Sequence, residues 1–320
     1  MVFLKRKKKL LITSTSFAKT TQEAIKELES NNFETHWAEG PFNDYELSNL
    51  INGFDAIIIG NDIVGKKSLN NNENLKAVVK HGVGIDNIDS ELANKKGIKI
   101  INAKHTNSIA VAEFVFATLL SLIRKVCIAR ESLLHGKWEG AKFIGEELYG
   151  KAMGIIGMGH IGQNVAKISN GFGMKVSYFD IIRNKEIEQK TGIHFFDLTE
   201  IIKESDIISI HIPLSKDTVN LIGKYEISQM KSTAYLINMS RGGIIDEEAL
   251  YDALKIERIK GAILDVYSKQ PVDKDWKILK LNNVLCTPHH AGYTFEGISK
   301  TTLSVAEQLI EYFNKLENSL

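Results

Sequence analysis

The segment Gly154-Ile155-Ile156-Gly157-Met158-Gly159-His160-Ile161-Gly162 constrains this chain more than any other. An apolar run leads into glycines spaced G-x-G-x-x-G, and a helical period follows through 163–168. Strand, tight turn and helix in that order open a βαβ unit of a parallel sheet. Gly157 permits the turn, Gly159 lets backbone approach a pyrophosphate, and Gly162 allows close packing of helix on strand. The helix N-terminus then offers its unpaired N–H groups and positive dipole end to an anion. The next apolar run, 176–179, ends at Asp180, 18 positions after Gly162, near the offset of about 20 at which an acid meets the hydroxyls of an adenosine ribose. A carboxylate there accepts both hydroxyl protons and repels a 2′-phosphate, so NAD is expected rather than NADP. Arg183 is the contrary sign, since a guanidinium can pair with that phosphate.

The rest of the chain alternates short apolar runs with stretches of helical period, the pattern of an α/β protein with parallel strands. Strands are expected at 9–12, 56–59, 75–79 and 98–101, with helices at 21–30 and 44–51, which makes the first third a small doubly wound domain. A second series at 153–156, 176–179, 207–210, 234–237, 261–264 and 284–286 supplies the six strands of a full dinucleotide fold. Between the series, 107–130 reads as one long helix carrying Val111, Phe114, Val115, Leu119, Leu122 and Ile123. A helix apolar nearly all round must be buried, within the fold or against a second subunit. At the far end, 295–316 spaces Ile298, Val305, Leu309 and Phe313 as one helical face. A return to the first domain covers that face and makes the domain discontinuous. The expected boundaries are 1–102 with 288–320 for that domain and 103–287 for the inserted one, and a chain of 320 residues suits two cores.

Composition excludes several classes of function. A formal charge of +1 provides no global field for nucleic acid or an anionic membrane. Lys5, Arg6, Lys7, Lys8 and Lys9 form a basic run, but only Leu10-Leu11-Ile12 follows before polar residues, too short for a signal-peptide core. That run reads as a solvated lead-in to a first strand. No segment approaches the ~18 uninterrupted apolar residues of a membrane span. The cysteines, Cys127 and Cys286, have no metal-ligand spacing and form no disulfide framework, which fits a reducing cytosol.

Two further segments supply chemistry. Asn238-Met239-Ser240-Arg241-Gly242-Gly243 follows an apolar strand and presents Arg241 at the strand's C-terminal end, where open α/β sheets bind ligands. A guanidinium fork holds a carboxylate in two hydrogen bonds. His289, in Thr287-Pro288-His289-His290-Ala291-Gly292, similarly follows the strand at 284–286. Imidazole is the side chain whose ordinary pKa suits proton exchange near neutrality.

Taken with 80–89 (KHGVGIDNID), 107–113 (NSIAVAE), 205–214 (SDIISIHIPL), 240–250 (SRGGIIDEEAL) and 264–267 (LDVY), these segments resemble the D-isomer-specific 2-hydroxyacid dehydrogenases, phosphoglycerate dehydrogenase-like, over nearly the whole chain. The resemblance implies a Rossmann NAD-binding domain inserted into a flavodoxin-like substrate domain, and interconversion of a small 2-hydroxy acid and its 2-oxo acid by hydride transfer. It implies that Arg241 orients the carboxylate and that His289 is the acid/base. Asp265 is similar to the family's ligand for the nicotinamide carboxamide, and Met239, Ser240 and Gly292 fall at cofactor positions beside it. His160, Ile161 and Asp180 match the cofactor positions of the cradle. Val83 and Gly84 match the carboxylate-binding loop, and Asn107 the nearby substrate or hinge position. The helix at 107–130 corresponds to the family's dimer contact, so a homodimer is implied.

The chain departs from the resemblance at Gln270, where most such enzymes carry a glutamate that pairs with the histidine. Glutamine orients the ring through its carbonyl but supplies no charge, so His289 is expected to titrate lower than in its relatives. The same replacement occurs in formate dehydrogenases, which keeps a formate-type oxidation as one alternative. A catalytically weak, NAD-sensing corepressor is the other, although Arg241 and His289 argue for catalysis. Phosphoglycerate-specific members often carry an arginine just after the strand at 56–59, where this chain has Gly60-Asn61-Asp62. Lys80, His81, Lys104 and His105 stand where an anionic tail could meet them, with solvation the simpler role for the lysines. A serine-feedback regulatory domain, which longer phosphoglycerate dehydrogenases carry after this point, is not expected.

Overall fold

In the computed structural model, which describes residues 6–318, the short apolar runs form two all-parallel sheets. Lys5 of the basic run lies outside the described residues. The sheets belong to two units of the chain, one of Met1–Asn107 with Tyr293–Leu320 and one of Ser108–Gly292.

The smaller unit is built on β1 (Lys8–Ile12), β2 (Phe33–Trp37), β3 (Ala56–Ile59), β4 (Ala77–Lys80) and β5 (Lys99–Asn102), in the order β2-β1-β3-β4-β5. That is the flavodoxin-like order of a doubly wound sheet. Every residue of β3 is buried, as the continuous run Ala-Ile-Ile-Ile requires. Strand β2 was not foreseen, because Phe-Glu-Thr-His-Trp lies on the sheet edge and only Phe33 is buried. The closing helix, Phe295–Asn318, lays Val305, Ala306, Leu309 and Phe313 on a cluster with Leu10, Ile12 and Val79. Phe313 meets Phe33 edge-on at 5.2 Å. Val305, Leu309 and Phe313 so buried contribute about 1.5–3 kcal/mol each, which keeps this helix with the first sheet.

The larger unit carries β6 (Ala152–Ile156), β7 (Lys175–Phe179), β8 (His194–Phe195), β9 (Ile207–Ile210), β10 (Tyr235–Asn238), β11 (Gly261–Leu264) and β12 (Val284–Cys286). Their order is β12-β11-β10-β9-β6-β7-β8, the Rossmann arrangement with one added edge strand. The expected six are all present; β8, two residues long and too short to leave a pattern, takes the third-strand place of the Rossmann order, and β12 is the strand added at the opposite edge. Chain direction across the sheet reverses between β6 and β9, and a crevice opens outside the carboxyl ends of strands at such a switch point.

The long helix expected over 107–130 is two helices, Ser108–Ile123 and Val126–Leu134. Lys125 between them has φ 56°, a left-handed conformation that no continuing helix adopts. The Ile123 carbonyl, which an unbroken helix offers to residue 127, accepts from the Glu146 N–H at 3.2 Å instead. Gly145 makes that approach possible, since a Cβ there would lie 2.5 Å from the same carbonyl oxygen. Partial burial raises the Glu146 carboxyl pKa, but hydrogen bonds from Lys151, Lys260 and Tyr235 hold it down at about 2. The first helix buries Val115 and Leu119 against Met153, Ile155 and Val165. The second buries none of its residues, and Val126, Ile128, Leu133 and Leu134 are all more than half exposed. Among the described residues no helix is long and apolar enough to cross a membrane, and no group of His, Cys, Asp and Glu could hold a metal ion.

Candidate active site

The glycine turn after β6 separates into two functions. Gly157 has φ +100°, and a Cβ there would lie 2.5 Å from the His211 carbonyl oxygen; one on Gly162 would lie 2.1 Å from the Gly157 oxygen. These two glycines are demanded by the protein's own packing. A Cβ on Gly159 would meet nothing within 4 Å, so the turn opens outward there, at the N-cap of the 12-residue helix His160–Gly171. Open backbone at the positive end of a helix fits a dinucleotide pyrophosphate. His160 is exposed at the first helical position, while Ile161 packs on the core. Asp180, at the end of β7, accepts from the Met158 N–H at 2.7 Å and from the Ile182 N–H at 3.3 Å. The acid thereby fixes the turn, and an ionised carboxylate retains acceptor positions for ribose hydroxyls.

Past the switch point, β9 is followed by His211, whose carbonyl backs Gly157. Burial pushes the His211 imidazole down to about 3, and its Nε2 lies 2.8 Å from Ser209 Oγ. Strand β10 delivers Arg241 on a turn held by Asn238, which is buried. Asn238 Oδ1 accepts from the Ser240 N–H and Oγ–H at 3.1 and 2.8 Å, and its Nδ2 donates to the Arg241 carbonyl at 2.9 Å. Met239 and Ser240 are buried within this turn. The guanidinium donates through Nη1 to the Ser240 carbonyl at 2.6 Å, a contact that restricts its direction. A Cβ on Gly242 would sit 1.9 Å from the Tyr267 carbonyl carbon, so the arginine turn lies directly on the segment leading to Gln270.

His289 stands on the turn after β12, with φ 51°. Asp265, at the end of β11 and 1% exposed, holds that turn with both oxygens. Oδ1 accepts from Thr287 Oγ1 at 2.7 Å and from the His290 N–H at 3.0 Å, and Oδ2 accepts from the Ala291 N–H at 2.9 Å. Gly292 follows at once and ends the unit. The His289 ring places Nδ1 2.8 Å from Gln270 Oε1, while Gln270 Nε2 donates to the Tyr267 carbonyl at 3.3 Å. An amide oxygen only accepts, so Nδ1 carries the proton in this bond. Arg241, His289 and Gln270 thus stand on the loops that leave the carboxyl ends of one sheet, along the same edge as the glycine turn.

Residues 116–291 match the family model described as D-isomer specific 2-hydroxyacid dehydrogenase, NAD binding domain. The chain belongs to the D-isomer-specific 2-hydroxyacid dehydrogenases. It is 37% identical over 291 residues to the D-3-phosphoglycerate dehydrogenase of Archaeoglobus fulgidus, covering 91% of this chain and 55% of that one. It is 40% identical over 242 residues to the glyoxylate reductase of Korarchaeum cryptofilum, covering 74% of this chain and 73% of that one. Among solved structures, the D-lactate dehydrogenase of Aquifex aeolicus complexed with NAD and lactic acid is similar at a TM-score of 0.82 and 27% identity, covering 97% of this chain and 96% of that one. The chain spans about half the length of the phosphoglycerate dehydrogenases it matches.

The larger unit is therefore this family's NAD-binding domain, and one sequence sign against NAD is answered within it. Arg183 makes a two-point fork to Glu188, Nε to Oε1 at 2.9 Å and Nη2 to Oε2 at 2.7 Å, with its guanidinium 5.3 Å from the centre of the Phe195 ring. The Arg183 hydrogen bond holds the Glu188 carboxyl below its usual range. Nothing in helical spacing marks a pair five positions apart as partners, so this contact was not legible in the sequence.

The remaining expected residues lie in the smaller unit. Val83 and Gly84 sit in the loop after β4, and neither N–H donates to an acceptor among the described residues. Asn107 is half-buried and closes the first stretch of that unit. Lys104 is exposed, in keeping with solvation. Lys80 is not: it is 9% exposed and its Nζ donates to the Gly60 carbonyl, a bond that water would otherwise make. His81 is half-buried and engaged at both ring nitrogens, with Nδ1 3.1 Å from Ser14 and Ser16 Oγ and Nε2 2.9 Å from Thr302 Oγ1. Burial, together with the Lys80 charge, pushes its imidazole down to about 4. Asp62, wholly buried, accepts from Thr13 Oγ1 at 2.8 Å and from the N–H groups of Phe42 and Gly60 at 2.9 and 3.0 Å.

Proposed function

We propose that the chain is a NAD-dependent oxidoreductase that interconverts a small 2-hydroxy acid and its 2-oxo acid. The observation that carries this reading is the His289–Gln270 hydrogen bond on a turn held by Asp265. Bound NADH supplies the hydride for reduction, and NAD accepts it in the opposite direction. Arg241 holds the substrate carboxylate with its fork and draws electron density from the 2-oxo oxygen. His289 donates a proton from Nε2 to that oxygen as C2 is reduced, and takes it back during oxidation. Gln270 keeps Nδ1 protonated in both directions, so Nε2 is the nitrogen that exchanges. Asp265 acts chiefly by positioning the histidine turn; its remaining acceptor capacity suits the nicotinamide carboxamide, beside Met239, Ser240 and Gly292. In the smaller unit the N–H groups of Val83 and Gly84 are assigned to the substrate carboxylate, with Asn107 at the neighbouring position.

A buried Asp62 after β3 makes that corner unsuited to a second anion, which favours short unphosphorylated substrates. A panel of glyoxylate, hydroxypyruvate, pyruvate, 2-oxoisocaproate and phosphohydroxypyruvate with NADH, and formate with NAD, tests the reading. Turnover is expected on short 2-oxo acids, with NADH at least about tenfold better than NADPH in kcat/KM, or about 1.4 kcal/mol. Turnover of formate alone supports the oxidation that the Gln270–His289 pair also suits. Silence on every member, with NADH still bound, leaves a corepressor-like role.

Val126, Leu133 and Leu134, exposed and on one face of the second helix by helical spacing, are assigned to contact with a second copy of the chain, since an exposed apolar patch marks an interface. Light scattering is expected to give twice the chain mass of 35.8 kDa, and Leu133→Asp to halve it. A wild-type monomer at micromolar concentration removes the assignment. The free cysteines, Cys127 and Cys286, suit a cytoplasmic setting.

A further inference from the structure

The larger unit contains an arginine three residues beyond Asp180, the acid proposed to meet the adenosine ribose, and a device that occupies it. Arg183 follows Asp180 by three residues on the loop after β7, the loop from which arginines meet a 2′-phosphate in NADP-binding folds. Its guanidinium is engaged along one edge by the Glu188 fork and over one face by the Phe195 ring. Glu188 is itself held in place. Tyr178, buried in β7, donates its hydroxyl to Glu188 Oε1 at 3.0 Å and accepts the Asn184 N–H at 2.8 Å. Asn184 caps the helix Lys185–Thr191 that bears Glu188, through its Oδ1 and the Ile187 N–H at 3.1 Å. The Glu188 side chain is only 17% exposed, against 52% for Arg183. The carboxylate is thus the fixed member of the pair and the arginine the movable one.

From this geometry we infer that Glu188 is a cofactor-selectivity residue, which holds Arg183 away from the position a 2′-phosphate takes. Asp180 rejects that phosphate by charge, and Glu188 withholds the cation that could compensate. Glu188 touches neither cofactor nor substrate; it acts through Arg183. Glu188→Gln preserves shape and the Tyr178 bond but removes the charge that holds the guanidinium, so a single bond from the guanidinium to an amide oxygen replaces an ionic fork. An exposed ion pair of this kind contributes modestly, which limits the effect.

Equilibrium binding of NADH and NADPH, read by nucleotide fluorescence in the absence of substrate, tests the inference independently of catalysis. Glu188→Gln is expected to tighten NADPH about fivefold, about 1 kcal/mol, while NADH changes by less than about twofold. Adding Arg183→Ala to that variant is expected to erase the gain, and Arg183→Ala alone to leave NADH binding as it was. An unchanged NADPH affinity overturns the inference, as does a gain that survives loss of Arg183 or that is equal for both nucleotides. If Glu188→Gln loses its far-UV circular dichroism, Glu188→Asp, which shortens the fork by one methylene, is measured in the same way. Normal NADH binding with no 2-oxo acid turnover counts against the proposed reaction and leaves this test intact.

Discussion

Arg241→Lys is expected to lower kcat/KM for the best 2-oxo acid by about two orders of magnitude or more, corresponding to roughly 2.7 kcal/mol of transition-state stabilisation. Lysine keeps the positive charge but presents it as a point on a flexible stem, so the two-bond registration of the carboxylate is lost. The native guanidinium is directed by its own contact to the Ser240 carbonyl, on a turn that Asn238 ties at three points. An ammonium cannot reproduce both that contact and a planar fork. Because the turn rests on the Asn238 side chain and on Gly242, the substitution leaves the fold and NADH affinity largely unchanged. Steady-state kinetics beside an NADH titration separate the cases. A collapse of NADH binding with normal turnover per bound cofactor makes Arg241 a cofactor or structural residue instead.

Gln270→Glu is expected to shift the pH dependence of both directions upward by about one to three pH units, the range of a close carboxylate on an imidazole. Gln270 Oε1 is already 2.8 Å from His289 Nδ1, so a glutamate in the same rotamer places its charge in hydrogen-bond contact with the ring. The charge favours imidazolium and raises its pKa. Reduction begins from imidazolium, so its rate falls as pH rises through that pKa, and the descending limb moves to higher pH. Oxidation begins from neutral imidazole, so its ascending limb moves the same way. On the alkaline side, reduction by the variant is then about 10- to 1,000-fold faster than by the native chain, provided chemistry limits turnover. Limbs that move in opposite directions, or a profile that does not move, dissociate Gln270 from the proton exchanged at His289.

What was legible in the sequence follows from signals that are local in the chain. The glycine turn could be read because Gly157 and Gly162 answer to contacts within one βαβ unit and to the strand beside it. The wholly buried strands announced themselves as runs such as Ala-Ile-Ile-Ile, since a parallel strand covered on both faces has no polar side to show. Strand β2 lacked that signal: an edge strand with one buried residue has no run to display, and β8 has no length. The end of the helix at Ile123 was hidden because the group that terminates it, the Glu146 N–H, arrives from a loop more than twenty residues away.

The same division runs through the site. Residue types and their places after strands marked Arg241, His289, Asp180 and Asp265 as chemistry, because a parallel sheet exposes the carboxyl ends of its strands along one edge. Their partners were decided only in three dimensions. That Asp265 holds the histidine turn, that Asn238 holds the arginine turn, that Lys80 and His81 are engaged by neighbouring groups and that Glu188 occupies Arg183 all depend on which side chains the packing brings within about 3 Å. Hydrogen bonds and charge pairs fall away over a few ångströms, whereas sequence spacing fixes distance only within one strand or one turn of helix. The periodicity of the chain therefore determined the sheets and the edge on which the chemistry stands, and the tertiary structure decided which groups on that edge are held, occupied or left to meet a ligand.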